Sequence, residues 1–113
     1  GIEPGEIGHH PLGSGAVLTR GAIPHPGLFE RLRDVADAEG IPYTVEVAAR
    51  STHTDADSVH VSRAGVPTTV VSIPLRYMHS PVELVELGDV EAVVELLTAF
   101  ASGLEAGADL SRW

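Results

Sequence analysis

The chain has 113 residues with seven arginines, no lysine and sixteen acidic residues, which give a formal net charge of −9 at pH 7. This charge repels a phosphate backbone, and no basic stripe is present to bind one, so the composition argues against a nucleic-acid partner. The absence of cysteine excludes disulfides and cysteine-based zinc sites. No segment reaches the roughly 20 apolar residues that span a membrane, and no secretory signal is recognisable, so we expect a soluble cytoplasmic chain.

The length suits a single domain with a modest core, but it is short for a free-standing enzyme whose sheet is covered on both faces. The sequence begins with Gly1 instead of methionine. We therefore expect a chain that has been processed or that is part of a longer protein, and the composition leaves both alternatives open.

The first half of the chain predicts a loop, a strand, a helix and a second strand. Residues 1–15, "GIEPGEIGHHPLGSG", contain many glycines and prolines without periodicity, so we expect a lead-in loop. A short strand follows over 16–19. Apolar side chains with helical spacing, a proline in the first turn and a glycine after the last turn predict a helix over 26–39. The alternating pattern of "YTVEVA" predicts a half-buried strand over 43–48.

The second half predicts a short helix, a buried strand and a long helix. Thr54 and Asp57 have the spacing of a capping box, so we expect a helix from about 55 to 63. The β-branched residues of "PTTVVSI" predict a buried strand over 67–73. Apolar spacing predicts the long helix over about 89–104.

This alternation of strands and helices predicts an α/β fold. We expect the three strands to form one partly parallel sheet, with Val70 and Ile73 buried and the helices packed on it in a three-layer α/β/α arrangement. Residues 105–113 are expected to form a flexible tail. A sheet of three or four strands leaves an edge open, and such edges are normally paired or covered. The last helix is expected to bury one apolar stripe, consisting of Val90, Val93, Val94, Leu97, Ala101 and Leu104.

Six histidines are the first candidates for chemistry. His9 and His10 lie in the lead-in loop, where adjacent histidines are usually solvated. His25 precedes a helix that it can start. None of these three positions indicates a ligand.

The segment "STHTDADSVH" places four side chains of metal-binding type, those of His53, Asp55, Asp57 and His60, within eight residues. Capping by Thr54 and Asp57 explains most of this pattern without a metal, and Asp57 and His60 are neighbours on one helix. The capping interpretation is therefore favoured. His53 and Asp55 lie at the start of the predicted helix, where backbone N–H groups can hold an anion or a substrate carboxylate.

His79 stands out because of its position in "SIPLRYMHSP", shortly after a buried strand that Pro74 ends. In an open α/β sheet the loops at the carboxyl ends of strands usually hold ligands and metals. An imidazole there can ligate zinc, act as a general base or bond to a backbone carbonyl, and the position leaves the three alternatives open. The chain contains no Gly-x-Ser-x-Gly elbow, no His-Glu-x-x-His motif and no glycine-rich phosphate loop.

The segments "SIPLRYMHSPVE" and "THTDADSVH" resemble the C-terminal part of the dinuclear-metal aminopeptidases of the glutamyl aminopeptidase and tetrahedral (TET) family. In that family an Arg-Tyr-x-His-Ser pattern supplies a metal-binding histidine, and a Gly-Thr-Asp-Ala turn borders the active site. The opening "GIEPGEIG" also resembles the segment that follows a metal-binding aspartate. The resemblance extends from about Ile2 to Phe100.

The resemblance implies a peptidase that uses two divalent metal ions, zinc or cobalt, and it assigns His79 as a ligand of one ion. It also implies that Thr54 and Asp55 lie near the substrate or support the site. The family's other ligands and its general base precede the point where this chain begins, so no catalytic residue is assigned here. His53 replaces a glycine that is usual in the family's turn, where the backbone makes a close approach.

Two-metal hydrolysis needs ions about 3.5 to 4 Å apart that share a carboxylate and a water molecule, and one histidine cannot assemble such a site. We therefore expect residues 16–104 to be the C-terminal part of a larger metallopeptidase catalytic domain that removes N-terminal residues from peptides. The chain alone is expected to be inactive, and the complete protein to form homo-oligomers, as the family does.

Two alternatives remain. One is an active enzyme in which the upstream half is present as another chain, and the other is a non-catalytic α/β domain used for oligomer contacts. A glycosidase is not supported, because we find no carboxylate pair that could flank a sugar.

Overall fold

Two small sheets and three helices form the part of the chain that the computed structural model describes, namely residues 10–63, 65–77, 80–108 and 110. In chain order the elements are β1 (Ala16–Gly21), α1 (Pro26–Glu39), β2 (Tyr43–Ala48), α2 (Ala56–Val59), β3 (Val71–Ser72), β4 (Leu75–Arg76), β5 (Leu84–Val85) and α3 (Leu87–Gly103). None of the helices in these described residues is both long and apolar enough to cross a membrane.

The larger sheet has the strand order β2-β1-β3. β1 pairs in parallel with β2 over its whole length, so that Gly21 lies beside Ala48. β3 runs antiparallel to β1, with Ser72 beside Val17. The prediction of one partly parallel sheet is therefore confirmed.

The third strand of this sheet is shorter than predicted, but the extended backbone before it still follows β1. The Thr19 N–H donates a hydrogen bond to the Val70 carbonyl at 3.2 Å, and the His25 N–H donates to the Thr68 carbonyl at 2.7 Å. Val70 and Ile73, which were predicted to be buried, are half-buried. β3 is the outer strand of the sheet, so this segment has a neighbouring strand, β1, on one side and, among the described residues, none on the other.

The core lies between the larger sheet and two helices that contact each other. Both faces of β1 are buried, since residues 16–19 are at most 3% exposed. α1 and α3 pack against β1 and against each other, so they share one face of the sheet. The α/β class predicted from the sequence is confirmed. The buried cluster consists of Ala16, Leu18, Phe29, Leu32, Ala36, Ile41, Ala92 and Leu96.

α1 has the predicted bounds because the residues that the sequence indicates cap both of its ends. Nδ1 of His25 accepts a hydrogen bond from the Leu28 N–H at 3.2 Å, and Pro26 occupies the first turn. Gly40 ends the helix with a left-handed φ of 68°, and its N–H donates to the Ala36 carbonyl.

α3 buries a different stripe from the predicted one. Asp89, Ala92 and Leu96 are buried, whereas Val94 and Leu97 of the predicted stripe are 58% and 45% exposed. The helix carries apolar residues around most of its circumference, so periodicity alone cannot choose the face that meets the sheet. A hydrogen-bonded carboxylate makes this choice.

Asp89 is the buried carboxylate that joins the lead-in loop to α3. Its two oxygens accept hydrogen bonds from the N–H groups of Gly13 and Gly15, each at 2.8 Å, and the residue is 1% exposed. It lies in the first helical turn, where the positive end of the helix dipole stabilises an anion. The loop and the helix are thus held together by the side chain that sets the buried stripe.

The bounds of two helices and one pair of strands also differ from the prediction. α3 begins at Leu87 instead of residue 89, since the Glu86 side chain accepts a hydrogen bond from the Gly88 N–H. α2 ends at Val59, because the chain turns away from helical geometry before Arg63, whose φ is 54°. β4 and β5 form a two-stranded antiparallel ladder that the sequence analysis missed.

Gly15 provides a test of the junction between the lead-in loop and β1. Its φ is +92°, and an added Cβ would lie 2.0 Å from the Pro42 carbonyl oxygen. We expect Gly15→Ala to lower the free energy of unfolding by about 3 kcal/mol, because left-handed strain adds to overpacking. Gly13→Ala is the matched control, since Gly13 has a φ of +87° but open space around it, and it should cost about 1 kcal/mol. Equal losses of unfolding free energy in the two variants, measured by urea denaturation, would contradict the predicted clash.

Replacement of Asp89 tests the contact between the loop and α3. Asp89→Ala leaves two N–H groups without their acceptor, so we expect the free energy of unfolding to fall by about 2 to 4 kcal/mol. Glu91→Ala, at an exposed position of the same helix, should change it by less than about 0.5 kcal/mol. Urea denaturation of both variants measures the difference. A loss in Asp89→Ala no larger than in the control would show that water replaces the carboxylate.

Candidate functional site

The turn over residues 51–55 carries the sequence-predicted residues Thr54 and Asp55. β2 ends at Ala48, and the chain then passes through this turn to α2, whose first residue is Ala56. Thr54 and Asp55 are both exposed. Their side chains are therefore accessible to a bound molecule.

Asp57 organises this turn through both oxygens of its carboxylate. Oδ1 accepts hydrogen bonds from the N–H and the hydroxyl of Thr52, at 2.9 and 2.6 Å. Oδ2 accepts from the Ser51 hydroxyl at 2.5 Å and from the His53 N–H at 3.1 Å. Four donors from three consecutive residues converge on one carboxylate, an arrangement that we call the Asp57 clasp.

The clasp also determines the charge of its central residue. The hydrogen bond from Ser51 and those from Thr52 and His53 hold the pKa of Asp57 well below its ordinary value of 3.8, because they stabilise the ionised carboxylate. Desolvation acts in the opposite direction and is outweighed. Asp57 is therefore an anion at neutral pH and in moderately acidic solution.

His53 adopts a left-handed backbone conformation with a φ of 55° and is exposed. Glycine, the residue usual in the family's turn, takes up this conformation most easily, whereas a side chain adds about 1 kcal/mol of strain. The His53 N–H donates to Asp57, so the clasp contributes to offsetting that strain. The turn keeps a glycine-like backbone although its side chain is larger.

The capping box predicted for Thr54 and Asp57 does not form. Oγ1 of Thr54 accepts a hydrogen bond from the Ala56 N–H at 3.2 Å, while Asp57 reaches back past Thr54 to the preceding three residues. Asp55 occupies the N-cap position, but its side chain makes no capping hydrogen bond. The clasp was thus not predicted from the sequence, although the run of hydroxyl residues in "RSTHTDAD" is a signal for it.

His79 lies outside the described residues, so its role as a metal ligand stays a prediction. Before it, Tyr77 has a left-handed φ of 61° and a side chain that is 65% exposed. The Tyr77 carbonyl accepts a hydrogen bond from the Ser80 N–H at 3.1 Å. An aromatic residue in this conformation costs about 1 to 2 kcal/mol, and such strain clusters at functional turns.

The antiparallel β3 changes the geometry expected around the sheet. Ser72 lies beside Val17, near the amino end of β1, so the chain leaves β3 at that end of the strands. β2 ends beside Gly21, at the opposite end of the strands. The segments that lead to His79 and to Asp55 therefore start from opposite ends of the strands.

Two histidines that the sequence analysis set aside have structural contacts. Nε2 of His25 donates to the Leu110 carbonyl at 2.5 Å while Nδ1 caps α1, so the ring connects that helix to the C-terminal segment. Nδ1 of His10 lies 2.6 Å from Oγ1 of Thr44, and the residue is half-buried. His10 is thus in contact with β2, whereas the sequence analysis expected a solvated side chain.

The described residues alone do not supply a metal centre. Within residues 10–63, 65–77, 80–108 and 110, no three side chains of the His, Cys, Asp and Glu types form a group that could hold a metal ion. Two-metal hydrolysis needs a larger set of donors. A dinuclear centre would therefore require donors beyond these residues.

Comparison with known proteins identifies the family. The model of the M42 glutamyl aminopeptidase family matches residues 3–96, and the chain belongs to this family. Over 94 residues it is 42% identical to a lysyl aminopeptidase from Pyrococcus furiosus, an alignment that covers 83% of this chain and 27% of that protein.

Solved structures show the same relationship. A TET aminopeptidase from the marine sediment archaeon Thaumarchaeota archaeon SCGC AB-539-E09 superposes with a TM-score of 0.83 at 33% identity, over 93% of this chain and 30% of that one. The TET1 peptidase from Pyrococcus horikoshii superposes with a TM-score of 0.70 at 29% identity, over 88% of this chain and 30% of that one. This chain spans less than a third of the length of each of these relatives.

The lowered pKa of Asp57 predicts how stability depends on pH. A carboxyl whose folded-state pKa is lowered contributes stability that is present above its unfolded pKa and lost as the pH falls through the folded value. We expect Asp57→Asn to be less stable than the wild type by a constant amount above about pH 5, and the difference to shrink below the ordinary value of 3.8. Denaturation at a series of pH values measures this difference.

The exposed Asp34 of α1 gives a charge-matched control, because Asp34→Asn also removes one carboxylate. Its stability difference from the wild type should stay smaller than that of Asp57→Asn at neutral pH. A deficit of Asp57→Asn that widens as the pH falls below 3.8 would contradict the assignment of the lowered pKa.

Proposed function

We propose that this chain is the C-terminal part of a metal-dependent aminopeptidase that hydrolyses N-terminal residues from peptides. The family match over residues 3–96 carries the proposal, because it includes both motifs in which the resemblance is most specific. The lysyl aminopeptidase and the TET aminopeptidase among its relatives support the reaction class.

His79 is the residue that we assign to the metal site. It would bind one of two divalent ions, zinc or cobalt, while residues upstream in the complete protein supply the remaining ligands and the base. Two such ions, when bound, activate a water molecule as the nucleophile. The 113-residue chain alone is expected to be inactive, because no catalytic base is assigned to it.

Thr54 and Asp55 are assigned to peptide binding. Their exposure in a turn with a defined backbone supports this assignment, since a substrate can reach both side chains. The Asp55 side chain makes no capping hydrogen bond to α2, so helix capping does not account for this carboxylate.

Residues 16–104 are proposed to belong to a larger catalytic domain, with 1–15 as a lead-in and 105–113 as a tail. Apolar side chains that such a domain would cover support this view: Val47 on β2 is 55% exposed, and Leu87 at the start of α3 is 72% exposed. Burying such side chains against further protein would remove apolar surface from water, which is favourable.

We also propose that the complete protein forms homo-oligomers. The TET1 peptidase of Pyrococcus horikoshii can assemble into a tetrahedron or a large octahedral shell, which supports the proposal by analogy. A non-catalytic domain used for oligomer contacts is the alternative, and the exposed apolar side chains favour it equally. A cytoplasmic location stays a prediction from the sequence.

A hybrid enzyme distinguishes these functions. This chain replaces the corresponding C-terminal segment of the Pyrococcus furiosus lysyl aminopeptidase, to which it is 42% identical over 94 residues. With zinc or cobalt we expect the hybrid to hydrolyse aminoacyl p-nitroanilides, whereas this chain alone should not. A folded, metal-loaded hybrid without turnover would favour the non-catalytic alternative.

The variant His79→Ala tests the metal assignment within the hybrid. Loss of one ligand should lower metal affinity and activity by at least the roughly 10- to 100-fold that loss of an outer-shell partner costs, while the stability of the metal-free protein changes little. His60→Ala removes a histidine that is not assigned to the site and serves as the control. Metal content measured after dialysis decides the result, and equal content in both variants would remove the assignment of His79.

A further inference from the structure

We infer that Asp57 is a positioning residue of the proposed aminopeptidase, which holds the turn over residues 51–55 in the conformation that presents Thr54 and Asp55 to the substrate. The inference rests on the proposed function for the roles of those two residues. Asp57 itself acts through the backbone and the hydroxyl groups that it binds, and it needs no contact with the substrate.

The backbone of the turn depends on Asp57 at two places. The N–H groups of Thr52 and His53 both donate to its carboxylate, at 2.9 and 3.1 Å. His53 is held in a left-handed conformation that costs a non-glycine residue about 1 kcal/mol. Without the carboxylate the turn would keep this strain and lose the two hydrogen bonds that contribute to offsetting it.

The clasp also orients the hydroxyl of Thr54. The Thr52 hydroxyl donates its hydrogen to Asp57, so in its 2.6 Å contact with Thr54 it can act as acceptor alone. Thr54 must then donate to Thr52, and one lone pair of its oxygen accepts from the Ala56 N–H. These two contacts leave one lone pair of the Thr54 oxygen as a further acceptor.

This orientation defines the chemistry that Thr54 offers to a peptide. A hydroxyl whose hydrogen is already donated can bind an N–H group, such as the terminal ammonium or an amide of a peptide, but it cannot donate to a carbonyl. Asp55 beside it adds a carboxylate, which also accepts hydrogen bonds. The turn is thus suited to the amino groups of an N-terminal peptide.

Two substitutions distinguish the hydrogen bonds at Oδ1 of Asp57, both from Thr52, from those at Oδ2, from Ser51 and His53. Asp57→Asn keeps an oxygen that can accept from Thr52, but its amide nitrogen cannot accept from Ser51 or from the His53 N–H. Asp57→Ala removes the hydrogen bonds at both oxygens. The exposed Asp34→Asn again supplies a control with the same change of charge.

Amide hydrogen exchange on the 113-residue chain measures the order of the turn without reference to catalysis. In Asp57→Ala we expect the amides of Thr52 and His53 to exchange at least about tenfold faster, while core amides of β1 keep their protection. In Asp57→Asn the His53 amide alone should lose protection. Unchanged exchange of both amides in Asp57→Ala overturns the inference.

Steady-state kinetics of the hybrid enzyme measure the consequence for the substrate. Asp57→Ala should lower kcat/KM about tenfold, mainly by raising KM, with metal content unchanged, and Asp57→Asn should have an intermediate effect. Faster exchange with unchanged kinetics would overturn the link to the substrate. A wild-type hybrid without turnover would refute the proposed function and this link together, whereas the exchange result would still decide whether Asp57 orders the turn.

Discussion

The buried carboxylate of Asp89 is the contact on which the arrangement of helix and sheet depends. The N–H groups of Gly13 and Gly15 donate to both of its oxygens. Rotation of α3 about its axis would break these bonds and leave buried polar groups unpaired, which is unfavourable. Gly15 also packs against Pro42, directly before β2, and the Ala16 N–H donates to the Pro42 carbonyl. Asp89 therefore fixes the start of α3 relative to that of β1, and the contacts with Pro42 place the start of β2 beside them.

The contact of Asp89 with the lead-in loop lies at the end of the sheet where β1 begins, and this end matters for the proposed site. The lead-in loop enters β1 there, and the chain leaves the antiparallel β3 at the same end. The lead-in from His10 to β1 and the chain that leaves β3 toward His79 thus lie at the same end of the strands. Metal ligands must keep fixed distances, so an edge held by a buried hydrogen-bonded contact is a suitable support for them.

The parts of the fold that sequence reasoning located are those whose signals are local. α1 was placed correctly because its cap residues and apolar spacing lie within the same short segment, and β1 and β2 because their patterns do. The stripe of α3 was wrong because its determinant, the bond from Gly15 to Asp89, joins residues 74 positions apart. The Asp57 clasp was missed for a different reason: a carboxylate near several hydroxyl residues can form many bonds, and the backbone geometry selects among them.

Asp89 and Asp57 show how a strongly acidic chain uses its carboxylates. With sixteen acidic residues and seven arginines, an arginine is not available for every carboxylate, and these two accept from backbone N–H groups and, at Asp57, also from hydroxyl groups. In the core such a bond is coupled to global stability, because breaking it leaves buried groups unpaired. In the partly exposed turn, water can replace part of the lost bonding, so the Asp57 bonds contribute less to global stability and mainly control local order. The turn over residues 51–55 can therefore open locally while the sheet keeps its structure.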